Sequence, residues 1–136
     1  MKTILVLEDE PSLVKLWRHA LTLNGYVIWE ATNAEDAIRR FLVDANRQID
    51  VLLAGVTLPV SSGILVALVL RAEVPGLRVI LTSGNPRAAW ETRDAADLER
   101  LGPDSVIVLQ KPFKNQTLLN SVRELTGAPS AAAGTG

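Results

Sequence analysis

The sequence predicts an α/β domain, a (βα)5 three-layer sandwich with one parallel sheet in strand order 2-1-3-4-5. Three observations carry this prediction. Five short apolar runs alternate with five stretches of helical character along the chain. Gly, Pro and Asn punctuate the junctions, as at Asn24-Gly25, Pro75-Gly76 and Gly102-Pro103. Acidic, hydroxyl and ammonium side chains follow the runs directly, at the carboxyl ends of strands where open parallel sheets build their sites.

Each element has its own local reason. Ile4 to Leu7 reads as a buried strand that ends in Glu8, Asp9 and Glu10. Pro11 and Ser12 open a helix to about Leu23, with Leu13, Leu16, Trp17, Ala20 and Leu23 at helical spacing. Gly25 suits the left-handed cap that stops it. Tyr26 to Glu30 is the second strand. Asn33 caps a helix from Ala34 to about Asn46, with Asp36 in its first turn, where a carboxylate is favoured.

Ile49 to Ala54 forms the third strand, followed by a break at Gly55 and a turn through Thr57, Leu58 and Pro59. The third helix runs from Gly63 to about Glu73. Arg78 to Thr82 is the fourth strand, and Ser83-Gly84-Asn85-Pro86 leaves it. A fourth helix with a poor apolar face spans about Arg87 to Leu101. Val106 to Leu109 is the fifth strand, and Lys111-Pro112-Phe113 leads to a last helix over about Asn115 to Leu125. Successive βα units require right-handed crossovers and helices on both faces of the sheet. The flavodoxin-like order satisfies this, and on periodicity alone so does a short Rossmann-like variant.

Composition narrows the function. A chain of 136 residues holds one core, with residues 1–126 as the domain and 127–136 as a disordered tail or the start of a linker. The formal net charge of -1 offers no basic surface for nucleic acid. No cysteine is present, which excludes disulfides, thiolate catalysis and a cysteine zinc site. The apolar start is too short for a signal peptide, and the longest apolar run, Ile64 to Leu70, is too short to span a bilayer. A cytoplasmic protein is expected. No Rossmann or Walker glycine loop occurs. The single histidine, His19, lies on the polar side of the first helix, so neither a Ser-His-Asp nor a metal-histidine arrangement is expected. Trp17 and Trp29 read as core; periodicity does not place Trp90.

The motifs at the strand ends carry a resemblance. Val-Leu-Glu-Asp-Glu-Pro, Leu-Pro-x-x-x-Gly, Leu-Thr-Ser-Gly and Leu-Gln-Lys-Pro-Phe follow strands 1, 3, 4 and 5 in order. Together they resemble the receiver domain of two-component response regulators, and the last two are similar to receivers attached to hybrid sensor histidine kinases. The resemblance implies position-specific roles. Glu8 and Asp9 match the acidic pair that holds Mg2+, with the backbone carbonyl of Thr57 as a further ligand. Ser83 matches the hydroxyl that contacts the phosphoryl group. Lys111 matches the lysine that pairs with it, ahead of a proline that often follows a cis bond.

The chain departs from that pattern at its centre. Gly55 stands where the family places its phosphoacceptor aspartate. Asp50 cannot replace it from about 16 Å away, at about 3.3 Å per strand residue. Thr57 and Ser83 cannot form an acyl phosphate. Val108 stands where many receivers carry an aromatic, and Val60 and Ser62 replace a common glycine and acid. With one anionic group lost, Mg2+ binding is expected to be weak or absent, and Lys111 is expected to pair with Asp9 or Glu8.

The expectation is a degenerate receiver, not an enzyme, with no tightly bound cofactor. It would act on a protein partner such as a histidine kinase, an output domain or another receiver. A homodimer is compatible with this. A second reading is the receiver segment of a larger hybrid kinase or regulator, Gly55 being natural or introduced by engineering into a Mg-dependent phosphoacceptor. A working phosphoacceptor needs an acid at position 55. The third helix adds one feature. Ile64, Val66, Ala67 and Leu70 form an inward stripe, which leaves Leu65, Leu68 and Val69 outside or on the flanks as an expected partner face.

Overall fold

A computed structural model describes residues 2–127 of the chain. Residues 128–136 of the expected tail lie outside the described residues. Five parallel strands form one sheet in the order β2-β1-β3-β4-β5, as the alternating pattern predicts. The strands are β1 (Thr3–Leu7), β2 (Val27–Ala31), β3 (Val51–Gly55), β4 (Arg78–Ser83) and β5 (Val106–Gln110). The helices are α1 (Pro11–Leu23), α2 (Ala34–Arg39), α3 (Gly63–Glu73), α4 (Thr92–Leu101) and α5 (Asn115–Thr126).

Strand alternation splits the core into two layers. Ile4, Val6, Val51, Leu53 and Ile80 face α1 and α5, where they meet Trp17, Leu21, Leu118 and Val122. Leu5, Leu7, Leu52, Ala54, Val79 and Leu81 face α2, α3 and α4, where they meet Phe41, Ile64, Val66 and Leu70. The central strands β1 and β3 are buried on both faces, which is why they read as continuous apolar runs. Gly63 starts α3 hard against β3. A Cβ there would stand 2.1 Å from the carbonyl oxygen of Gly55, so only glycine permits this approach. Ser62 caps the same turn by accepting from Ile64 N at 3.1 Å. Asn33 caps α2 by accepting from Asp36 N at 2.8 Å, and Gly25 takes the left-handed conformation at φ +89°, both as the sequence predicts.

Several boundaries differ from the expected ones. β2 begins and ends one residue later, because Val27, not Tyr26, pairs with Thr3. β3 extends through Gly55, which pairs with Thr82, so the glycine lies inside the strand. The α-helical part of the second helix ends at Arg39, and Arg40–Asp44 continues as a π-helical turn that carries Phe41 into the core. α4 begins at Thr92. Arg87–Ala89 is a separate 3-10 turn, because Trp90 and Glu91 are extended and the Trp90 indole is tied back to Asn85. The inward stripe of α1 is Trp17, Ala20 and Leu21, while Leu16 and Leu23 stay 47% and 73% exposed. Leu68 is corrected likewise. Its side chain packs against the core layer under α2, α3 and α4, which leaves Leu65 and Val69 as the outward apolar residues of α3.

Candidate functional site

The expected site lies at the carboxyl ends of β1, β3, β4 and β5. Val6, Leu53 and Ile80 all face the α1/α5 layer, so alternation turns Glu8, position 55 and Thr82 toward that same layer. Lys111 reaches across from the end of β5. Its Nζ donates to Glu8 Oε1 at 3.1 Å and sits 6.0 Å above the Trp17 ring. Glu8 Oε1 lies 3.2 Å from the point a Cβ on residue 55 would occupy. The Thr57 carbonyl oxygen lies 3.8 Å from that point. The carboxylate of Glu8 therefore closes over the space an aspartate side chain at 55 would take.

Glu8 is 2% exposed. Burial pushes its carboxyl above the ordinary range, and the Lys111 charge and the Glu10 N–H pull only partly the other way. Asp9 is exposed. Removing the Lys111 partner would leave the Glu8 charge buried and unpaired, which is costly.

The donor set does not fit a resident Mg2+. No cluster of three or more His, Cys, Asp or Glu side chains that could hold a metal ion exists among the described residues. Of the two carboxylates present, Glu8 is committed to Lys111. A hard cation of this kind depends on anionic oxygen ligands that are free to turn toward it.

Ser83 is placed differently from the other expected site residues. It follows the alternation of Leu81 and turns to the opposite face of the sheet from Thr82. Its hydroxyl donates to Asn85 O at 3.0 Å and accepts from Asn85 N at 3.1 Å. The Trp90 Nε1–H donates to that same Asn85 carbonyl at 3.1 Å. Ser83, Asn85 and Trp90 thus knot the β4–α4 loop. The Lys111-Pro112 bond is cis, as the resemblance implies. Val108 lies in β5 opposite Leu81.

Sequence reasoning missed Thr82. Its Oγ1 is buried beside Gly55 with no hydrogen-bond partner among the described residues. The signal for it is the hydroxyl itself at the end of an apolar strand, next to the equally plausible hydroxyl of Ser83.

The family model described as "Response regulator receiver domain" matches residues 4–123. The chain is 35% identical over 123 residues to the probable transcriptional regulatory protein TcrX of Mycobacterium tuberculosis, covering 90% of this chain and 49% of the relative. It is 27% identical over 123 residues to the sensor kinase CckA of Brucella abortus, covering 90% of this chain and 12% of that protein. The chain thus spans about half the length of the first relative and a small part of the second. Among solved structures, a CheY-like response regulator receiver domain from Methanospirillum hungatei superposes with a TM-score of 0.79 at 20% identity, covering 93% of this chain and 95% of that one. A response regulator receiver protein from Sinorhizobium medicae gives 0.76 at 25% identity, covering 93% and 95%.

Proposed function

The chain belongs to the response regulator receiver domain family, and on that premise we propose that it is a receiver that signals without being phosphorylated. One observation carries the reading. The Glu8–Lys111 ion pair closes over the space beside Gly55, the position that the strand-end motifs match to the acceptor. Acyl-phosphate formation needs a carboxylate nucleophile there, and lysine serves the phosphoryl group only when it is free to meet it. Here both the space and the lysine are taken.

The protein acts by contact with another protein, as a binding module and not as an enzyme, and works in the cytoplasm. No helix among the described residues is long and apolar enough to cross a membrane. The partner class is a kinase, an output domain or another receiver. The contact face is the outer side of α3, where Leu65 and Val69 are 43% and 40% exposed. Mg2+ plays at most a weak part. A second reading is that the chain is the receiver segment of a larger regulator or kinase. The partial coverage of both relatives favours it.

The test is direct. The protein is incubated with a small-molecule phosphodonor and Mg2+, and its intact mass is taken. No adduct is expected. A stoichiometric, base-labile phosphoryl adduct would overturn the reading.

A further inference from the structure

Two exposed surfaces lie on opposite faces of the sheet, and the first adjoins the outer side of α3. The first is a groove of about 320 Å3 between the β3–α3 loop, the start of α3 and the first turns of α4. Val60, 96% exposed, and Leu65, 43% exposed, supply its apolar rim. Glu91, Asp94 and Asp97 supply its acids, with Arg93 as the one base. Asp97 is already paired to Arg100 at 3.2 Å. Glu91, Arg93 and Asp94 form no ion pair among the described residues, which leaves the groove net negative.

The second surface is the outer stripe of α1. Lys15, Leu16, His19 and Leu23 are all exposed, and their helical spacing puts them on one side. Leu16 and Leu23 form its apolar part. Lys15 makes no ion pair among the described residues, while Arg18 beside it is paired to Glu30 at 2.8 Å. The stripe is apolar and net positive.

We propose that copies of this chain associate head to tail, with the α1 stripe of one copy seated in the α3–α4 groove of the next. Charge complementarity selects this occupant. A symmetric contact of groove on groove would set Glu91 and Asp94 against the same acids of the partner. Stripe on groove sets Lys15 against those acids and Leu16 and Leu23 against Val60 and Leu65. The two surfaces lie in different layers of one molecule, so neither can satisfy the other within a copy. A contact between unlike surfaces does not close on itself as a two-fold dimer does, so it extends past two copies into a ring or an open chain. The inference rests on the reading of α3 as a partner face and names what covers it.

The test uses two single variants, Lys15→Glu and Asp94→Lys, and measures mass in solution from micromolar to millimolar protein. The parent's average mass is expected to rise with concentration past that of the dimer and to fall with added salt. Each variant alone sets like charges together and is expected to stay monomeric. Mixed, the two restore association. The carboxylate introduced into the stripe of the first variant meets the ammonium introduced into the groove of the second. In the alternate contact, the unaltered Lys15 of the second variant meets the unaltered Asp94 of the first. Circular dichroism verifies that both variants are folded. A parent that is monomeric throughout, a mass that saturates at the dimer, or folded variants whose mixture does not associate would each overturn the proposal. None of these outcomes alters the phosphodonor result, so failure here is distinguishable from failure of the proposed function.

Discussion

At the scale of single residues, the proposed site turns on what a glycine at position 55 lets its neighbours do. Gly55 has an ordinary backbone conformation, so a side chain is allowed there. Its Cβ would meet the Glu8 carboxylate at 3.2 Å and a Leu58 methyl at 3.6 Å. The first of these is the far end of a flexible side chain and can give way. In Gly55→Asp the new carboxylate would stand against Glu8 and compete for Lys111. Without a cation this is expected to cost about 1–2 kcal/mol of stability. With Asp9 and the Thr57 carbonyl alongside, three carboxylates would then be present for a hard cation. Added Mg2+ is expected to raise the stability of the variant by about 2.7 kcal/mol at a hundredfold excess over its dissociation constant, and to leave the parent unmoved. Denaturant titrations with and without Mg2+ measure this. A variant that gains nothing from Mg2+ would mean that the remaining pocket has lost its cation geometry. That position 55 carries glycine is legible in the sequence because it is a matter of residue identity at one position. The closure by Glu8 was only half legible, since it joins residues 103 positions apart. The sequence offered Asp9 and Glu8 equally, and burial of one of them decides between the two.

At the scale of elements, the apolar runs were legible because both faces of the central strands are covered, which leaves no polar position in them. The joints were less so. The end of α2 becomes a π turn to seat Phe41, and the start of α4 is delayed by the Trp90–Asn85 bond. Neither shows in a 3.6-residue period. The third such feature is Arg71 on α3. Its Nε donates to Leu77 O at 2.8 Å, one terminal nitrogen to Leu101 O at 2.9 Å, and the other to Asp104 O at 3.0 Å and Ser105 O at 3.3 Å. One guanidinium thus gathers the loop before β4 and the loop before β5 onto α3. Burial lowers its pKa from the usual arginine value, and the carbonyls it binds compensate for lost water. Arg71→Ala is expected to cost about 2–3 kcal/mol in urea denaturation, since several charged hydrogen bonds go at once. Arg71→Lys is expected to recover only part of this, because an ammonium cannot reproduce the planar fork. A loss under about 1 kcal/mol for the alanine variant would show that the loops hold without the clamp.

At the scale of the whole molecule, one sheet serves two core layers, and its strands contribute alternate residues to each. Opening either layer exposes one apolar face of the sheet, because β1, β3 and β4 place apolar side chains in both. The architecture therefore implies a single cooperative unit even though its two layers share no helices. The tryptophans are distributed to test this. Trp17 is 2% exposed in the α1/α5 layer and stacks on Phe113 at 5.7 Å. Trp29 and Trp90 pack on the other layer. A Trp17→Phe variant leaves tryptophan fluorescence, excited selectively over that of Tyr26, only in the α2/α3/α4 layer. The double variant Trp29→Phe, Trp90→Phe leaves it only in the α1/α5 layer. Within each variant, the fluorescence transition in urea is expected to coincide with the loss of helical circular dichroism, as it does for a two-state domain. Comparing the two signals inside one variant removes the stability cost of the substitutions from the test. Noncoincident transitions in either variant would mean that one layer opens while the other holds. The sheet would then not be what makes the receiver a single unit.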